Sequence, residues 1–170
     1  MELENKVLSR EISQCLYDTG KTLGTAESCT GGRIAEAVIA TPGASAYFKG
    51  SIISYVDDIK KRLLGVDAQV LEEQTAVCEE VARQMVAGAC RTLGVDYAIS
   101  ATGIAGPGGG TAAIPVGTIW LACGTADRIK TLLIQEDNGR DQNLSAATYQ
   151  ALKLFLDFLK EEQPKTEPAE

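Results

Sequence analysis

The stretch Lys21-Thr-Leu-Gly-Thr-Ala-Glu-Ser-Cys-Thr-Gly-Gly-Arg-Ile34 passes from a short apolar run into a helical pattern. Residues 21–26 predict a β-strand, and residues 31–40 predict a helix with a broad apolar face. Ser28 and Cys29 lie in the turn between them, where free backbone N–H groups can stabilise an anion. This unit predicts an α/β domain with a reactive side chain at the end of a strand.

In the rest of the chain, predicted strands and predicted helices also alternate. The spacing of apolar residues predicts further helices over residues 4–19, 57–64, 79–93 and 143–160. Apolar runs predict further strands over residues 48–56, 97–101, 116–123 and 129–134, the last two as an antiparallel hairpin. Strands that alternate with helices and end in a hairpin predict a three-layer α/β/α sandwich with a mixed, mostly parallel sheet. We expect one domain over residues 1–162 and a disordered tail over residues 163–170.

The composition narrows the class of protein. A chain of 170 residues is long enough for one domain with a proper core. The net charge of −7 does not favour a nucleic acid as partner, because binding to the phosphate backbone requires a basic face on the protein. The five cysteines are widely spaced without a CxxC pair, which predicts reduced thiols and no zinc site. Because the sequence shows neither a membrane-spanning run nor a signal peptide, we expect a cytoplasmic protein without a membrane partner.

The chain has no histidine, which restricts the chemistry of the first turn. If Ser28 or Cys29 acts as a nucleophile, its base must be Lys, Asp, Glu or Tyr, and a Ser-His-Asp mechanism is excluded. The glycines after Thr30 let a ligand approach the backbone, and the helix start supplies donors for an oxyanion. The alternative is that this turn only caps a helix.

Lys60 is a candidate base at the start of another predicted helix. A lysine in a first helical turn interacts unfavourably with the helix dipole, and burial would lower its pKa further. A neutral lysine amine can take the proton of a serine hydroxyl. Tyr55, five residues earlier, could donate a hydrogen bond to that amine or relay the proton. A solvated helix face is the alternative, and the sequence leaves Lys60 open between the two.

The third segment is the glycine-rich loop Thr102-Gly-Ile-Ala-Gly-Pro-Gly-Gly-Gly-Thr111. Loops of this kind can hold a phosphate with backbone amides, although this one matches neither a Walker A sequence nor a dinucleotide fingerprint. A flexible connection is the alternative. Because this loop and Ser28 each follow a predicted strand, we expect both at one crevice along the carboxyl edge of the sheet.

Together these segments resemble the CinA C-terminal domain family. The resemblance rests on residues 25–32, on residues 50–66 with Tyr55 and Lys60, on residues 101–110 and on Pro115-Val-Gly-Thr-Ile-Trp120, and it covers about residues 5–160. It implies a stand-alone nicotinamide-nucleotide amidohydrolase, which converts nicotinamide mononucleotide to nicotinate mononucleotide and ammonia without a metal or cofactor. Related domains often self-associate, so we expect a homo-oligomer.

The resemblance also implies roles for individual residues. Ser28 would be the nucleophile, Lys60 the general base and Tyr55 an assisting group. The backbone around Thr30, Gly31 and Gly32 would receive the oxyanion. The other expected substrate contacts lie in three places, at Ser45, at Thr102, Gly103 and Gly106 of the glycine-rich loop, and at Arg140.

One end of the expected substrate site departs from the family pattern. The family tends to show Gly-Asp-Arg followed by a second basic residue, whereas this chain has Gly139-Arg-Asp141, and only Arg140 remains. A lost charge-assisted phosphate contact costs about 1.5–3 kcal/mol. Two other functions therefore stay open, a nucleotide-binding regulatory module with weak or no turnover and an amidase for a related amide.

Overall fold

The computed structural model describes residues 2–163. Its elements in chain order are α1 (Glu2–Thr19), β1 (Leu23–Glu27), α2 (Arg33–Ile39), a short 3-10 helix (Ala44–Ala46), β2 (Phe48–Ile53), α3 (Asp57–Leu64), α4 (Ala68–Gln74), α5 (Glu79–Leu93), β3 (Tyr97–Gly103), β4 (Thr118–Gly124), β5 (Ile129–Gln135) and α6 (Arg140–Glu162). Nearly all of the predicted tail lies outside the described residues.

The five strands form one sheet in the order β2-β1-β3-β4-β5. Strand β1 is parallel to β2 and to β3, and β4 is antiparallel to both of its neighbours. Four strands therefore point in one direction and only β4 in the other. The prediction of a mixed, mostly parallel sheet that ends in a hairpin is confirmed.

Helices cover both faces of the sheet. On one face, α1, α2 and α6 pack around an apolar cluster that includes Ile34 and Phe155. On the other, α3, α4 and α5 pack around a second cluster that includes Leu64 and Met85. Adjacent side chains of a strand point to opposite faces, so every strand can contribute to both cores. The three-layer α/β/α sandwich is confirmed. No helix within residues 2–163 combines the length and apolar character of a membrane span.

Sequence patterning did not predict α4. This helix has only seven residues, and Leu71 is its only buried side chain. Its start depends on Asp67, whose Oδ1 accepts a hydrogen bond of 2.8 Å from the amide of Gln69. A helix of two turns with one buried residue has no measurable apolar periodicity, because periodicity needs several buried positions on one face.

Gly88 in α5 allows this helix to approach the C-terminal end of α3 at Leu64. Helix α3 is the helix that contains Lys60. A Cβ atom at this position would lie 2.0 Å from the carbonyl oxygen of Leu64, a backbone atom that cannot move away by itself. We therefore expect Gly88→Ala to lower the free energy of unfolding by about 1–3 kcal/mol, as measured by urea denaturation. Gly108→Ala is the control, since a Cβ atom at Gly108 meets nothing within 4 Å. Equal stability of the two variants would contradict this account of the α3–α5 contact.

Candidate active site

Three segments meet at the carboxyl edge of the parallel strands. Ser28 follows β1, Ser54 follows β2, and the glycine-rich loop follows β3. The amide of Ser28 donates to the carbonyl of Ala101 at 2.9 Å, and the amide of Ser54 donates to the carbonyl of Glu27 at 2.8 Å. The first bond continues the pairing of β1 with β3 by one residue, and the second continues the pairing of β2 with β1. The expected proximity of Ser28 and the glycine-rich loop is observed.

Lys60 lies directly against Ser28. Helix α3 begins four residues after β2 ends, and its first turn turns Lys60 inward, where the side chain is only 1% exposed. The Lys60 Nζ atom donates to Ser28 Oγ at 2.9 Å and to the carbonyl oxygen of Ser54 at 2.8 Å. Asp57 Oδ1 lies 4.0 Å from Nζ. The structure therefore brings together the two residues whose proximity the sequence left open.

The surroundings of Lys60 favour its neutral form. Burial lowers the pKa of the Lys60 amine below its usual value, and the nearby Asp57 carboxylate opposes this shift only in part. A neutral amine keeps N–H groups for the Ser54 carbonyl and offers its lone pair to the Ser28 hydroxyl. The pair can therefore exchange one proton without a histidine.

Glu27 belongs to this site, although the sequence pattern did not predict a role for it. Its side chain is fully buried. The Oε1 atom accepts from the hydroxyl of Thr30 at 2.8 Å and from the amides of Gly32 and Ile34 at 3.2 and 3.0 Å. The Oε2 atom accepts from the amide of Ala35 at 3.0 Å. The carboxylate thus caps α2 from the end of β1, which a glutamate next to a Gly-Gly helix start could have indicated.

This arrangement corrects the predicted oxyanion donors. The amide of Gly31 donates to the carbonyl of Ser28 at 3.1 Å, and the amide of Gly32 is bound to Glu27. Both predicted glycine donors are therefore occupied, because the turn closes on itself and on the carboxylate. Among residues 2–163, the amides of Cys29 and Thr30 donate to no oxygen or nitrogen acceptor. These two amides of the turn are the ones that remain available to an oxyanion.

The Cys29 thiol is poorly suited to nucleophilic attack. Its side chain is buried, and burial raises its pKa to about 12, although the backbone amides of Cys29 and Thr30 oppose the rise. A thiol with this pKa stays protonated at neutral pH, and the thiolate is the reactive form. Of the two candidate nucleophiles in the turn, Ser28 is the one with a base within hydrogen-bond distance.

The glycine-rich loop is held by its neighbours rather than loose. The Arg140 Nη1 atom donates to the carbonyl of Gly106 at 2.8 Å, and Asn143 Nδ2 donates to the carbonyl of Ala105 at 3.0 Å. Gly106 has a positive φ of 87°. The first turn of α6 therefore fixes the loop, and Arg140 stays exposed at its rim.

Two of the loop positions predicted to bind substrate are used by the fold itself. Thr102 is fully buried within β3, and its hydroxyl donates to the carbonyl of Ala76 at 2.8 Å. A Cβ atom on Gly103 would lie 2.6 Å from the Cα atom of Ile119, so this glycine permits the close pairing of β3 with β4. The expected contact of the Thr102 side chain with ribose or phosphate is wrong for this structure, because the buried hydroxyl is bound to the segment between α4 and α5.

Comparison with known proteins agrees with this architecture. The family model of the CinA C-terminal domain matches residues 5–159. The chain belongs to this family. A CinA-like protein of Cytophaga hutchinsonii is 42% identical over 154 residues, which cover 91% of this chain and 37% of that protein. A CinA-like protein of Gloeobacter violaceus is 41% identical over 154 residues, which cover 89% of this chain and 36% of that protein. This CinA domain spans about a third of the length of these curated relatives.

Solved structures share the fold along almost their whole length. The competence/damage inducible protein CihA from Agrobacterium tumefaciens superposes with a TM-score of 0.88 at 34% identity, over 92% of this chain and 96% of that chain. The competence damage-inducible protein A (ComA) from Klebsiella pneumoniae gives a TM-score of 0.89 at 31% identity, over 94% and 99%. The α/β sandwich of this CinA domain is therefore the fold of its family.

Two predicted site residues form no hydrogen bond with the Ser28–Lys60 pair. Ser45 is exposed in the 3-10 helix that precedes β2, at the opposite end of the sheet, roughly 20 Å away for a strand of this length. The prediction that Ser45 lines the same pocket is wrong within one chain, because a residue before a parallel strand lies at its amino end. Tyr55 lies near the pair in sequence, but its side chain is 58% exposed and forms no hydrogen bond with either residue. Its assisting role stays a prediction.

Proposed function

We propose that this CinA domain is a serine amidohydrolase that converts nicotinamide mononucleotide to nicotinate mononucleotide and ammonia. One observation carries the proposal: a buried lysine amine lies 2.9 Å from a serine hydroxyl in a chain that has no histidine. The resemblance of the Ser28, Lys60 and glycine-rich segments to nicotinamide-nucleotide amidohydrolases supports the choice of substrate. The amides of Cys29 and Thr30, which donate to no oxygen or nitrogen acceptor within residues 2–163, support the acyl-transfer chemistry.

In the first half of the reaction, the neutral Lys60 amine takes the proton of Ser28 as Oγ attacks the carboxamide carbon. A C–O bond forms and the carbonyl π electrons move to the oxygen, where the amides of Cys29 and Thr30 stabilise the negative charge. Lys60 then returns its proton to the amide nitrogen. The C–N bond breaks, ammonia leaves, and the nicotinoyl group stays on Ser28 as an ester.

In the second half, water replaces ammonia on the same side of the ester. Lys60 takes a proton from this water as its oxygen attacks the acyl carbon. The tetrahedral intermediate collapses, the bond to Ser28 Oγ breaks, and the serine regains its proton from Lys60. The net change is the addition of one water to the amide, and both protein groups return to their starting states.

The test is ammonia release from purified protein incubated with nicotinamide mononucleotide. We expect stoichiometric formation of nicotinate mononucleotide, which chromatography would identify. Parallel incubations with free nicotinamide and with nicotinamide riboside test the alternative of a related amide. Faster hydrolysis of either compound would assign the activity to that amide instead of the nucleotide.

A nucleotide-binding regulatory module is the second candidate, and the region around Arg140 favours it. The guanidinium of Arg140 is already bound to the carbonyl of Gly106, and the second basic residue of the family pattern is missing nearby. A module of this kind would raise its melting temperature with nicotinamide mononucleotide but release no ammonia. Thermal shift and ammonia release on one sample therefore separate the two candidates.

Replacement of Cys29 separates the two candidate nucleophiles. We expect Cys29→Ala to keep kcat within about threefold of the wild type, because the buried thiol stays protonated and the backbone amide is retained. Steady-state ammonia release is the measurement, and thermal denaturation checks that the smaller side chain leaves the turn folded. A loss of turnover in a folded Cys29→Ala protein would assign the attack to the thiol.

A further inference from the structure

The buried carboxylate of Glu27 has no part in the proton transfers of the proposed reaction. Glutamate is almost never fully buried unless it is paired or takes several hydrogen bonds. Among residues 2–163, no lysine or arginine forms a salt bridge with it. Its charge is instead met by the N–H groups at the start of α2, which form the positive end of the helix dipole, and by the hydroxyls of Thr25 and Thr30.

The position of this carboxylate couples two elements. Glu27 is the last residue of β1, and its partners Gly32, Ile34 and Ala35 begin α2. Gly32 stands at the N-cap of α2 and has no side chain that could cap the helix. The carboxylate therefore closes the short loop between strand and helix from inside, and Ser28 lies in that loop.

The same carboxylate also fixes the loop in its middle. The hydroxyl of Thr30 donates to Oε1 at 2.8 Å and is almost fully buried. Thr30 is one of the two residues whose amides remain free for an oxyanion. One expected oxyanion donor therefore belongs to a residue whose side chain binds this carboxylate. Ser28 follows Glu27 directly in the chain.

We propose that Glu27 is the positioning residue of Ser28, which holds Oγ against Lys60 Nζ by linking the end of β1 to the first turn of α2. The proposal rests on the proposed function, because it assumes that Ser28 is the nucleophile. It also assigns the start of α2 to a protein carboxylate, so the phosphate of a nucleotide must bind elsewhere. Small displacements of a reacting group cost about 100-fold in rate, which is the scale of effect that the proposal predicts.

A serine-reactive fluorophosphonate tests the positioning without any assumption about the amide substrate. Its phosphorus forms a bond with Ser28 Oγ, fluoride leaves, and Lys60 takes up the hydroxyl proton. We expect Glu27→Gln to react about 10- to 100-fold more slowly than the wild type. The reason is that the Glu27 carboxylate has two acceptor oxygens, and both take hydrogen bonds. A carboxamide has only one, so part of the donors around it would lose their acceptor. Intact mass spectrometry measures both the rate and the final extent of labelling.

The final extent separates positioning from simple unfolding. A misfolded fraction lowers the extent of labelling, whereas a displaced serine lowers the rate and leaves the extent unchanged. Glu36→Gln is the matched control, since Glu36 is an exposed carboxylate in the first turn of the same helix. We expect its labelling rate to equal that of the wild type. In deamidation, Glu27→Gln should lower kcat and change KM by less than about threefold.

Thr30 provides a second test in case Glu27→Gln does not fold. Thr30→Val removes the hydroxyl that binds Oε1, and Thr30→Ser keeps it. We expect slow labelling in the first variant and recovery in the second. Wild-type labelling rates in Glu27→Gln, or equal rates in the two Thr30 variants, would overturn the positioning role. Absence of Ser28 labelling in the wild type would instead contradict the proposed nucleophile, and the positioning role with it.

Discussion

Replacing Ser28 by alanine is expected to lower kcat/KM for nicotinamide mononucleotide by about 1,000-fold or more. The variant loses the atom that forms the acyl-enzyme, and Lys60 then has no hydroxyl to deprotonate. Binding should persist, because the glycine-rich loop and the free amides of the turn are unchanged. Ammonia release measures the first effect, and thermal shift with the nucleotide measures the second.

The adjacent Cys29→Ala variant is the natural comparison for Ser28→Ala. Both remove one small polar side chain from the same turn, but only Ser28 lies within hydrogen-bond distance of Lys60 Nζ. A large loss in Ser28→Ala together with near-normal turnover in Cys29→Ala would assign the nucleophile. Full turnover in Ser28→Ala would contradict the proposed mechanism at its first step.

Replacing Lys60 by methionine is expected to reduce turnover on a similar scale, about 1,000-fold. Methionine fills a volume close to that of the lysine stem but cannot accept a proton. In the wild type, kcat/KM should rise with pH as the ammonium becomes an amine. Since burial lowers the pKa of Lys60, the midpoint of this rise should lie below the usual lysine value of 10.5. A rise centred at or above that value would contradict a buried base.

The same substitution has a consequence for stability. Because the pKa of Lys60 is lower in the folded state than in the unfolded state, the unfolded chain binds more protons between these two values. The wild-type free energy of unfolding should therefore increase with pH across this window, and Lys60→Met should lack this increase. Urea denaturation of both proteins from pH 7 to pH 10 measures the difference. Parallel pH profiles would show that Lys60 keeps its normal pKa when folded.

The predicted elements with several buried residues agree with the structure. Helix α5 and strands β1 and β3 lie within a few residues of their predicted bounds, because several buried positions contribute to each pattern. Helix α4 escaped prediction because it buries a single leucine. The strand–turn–helix order also sufficed to place Ser28 and the glycine-rich loop at one edge of the sheet.

For the candidate site too, local sequence predicted some features, and others depended on three-dimensional packing. Residues 25–32 by themselves predict a serine in a turn before a helix, and the lack of histidine limits its base to a few residue types. What a side chain touches across the sheet depends on strand order and on the face toward which it points. The 2.9 Å contact of Lys60 with Ser28, across 32 positions of the chain, therefore required the tertiary packing that brings the first turn of α3 to the end of β1.

The sequence alone determined the layers of the sandwich, the turn that holds Ser28 and the absence of histidine chemistry. Only the tertiary structure decided that Glu27 fills the start of α2, that Thr102 points into the core and that Ser45 lies at the far end of the sheet. The physical reason is that hydrophobic periodicity is a local property which neighbouring residues reveal. Hydrogen-bond partners and burial depend instead on groups that the fold brings together from distant parts of the chain.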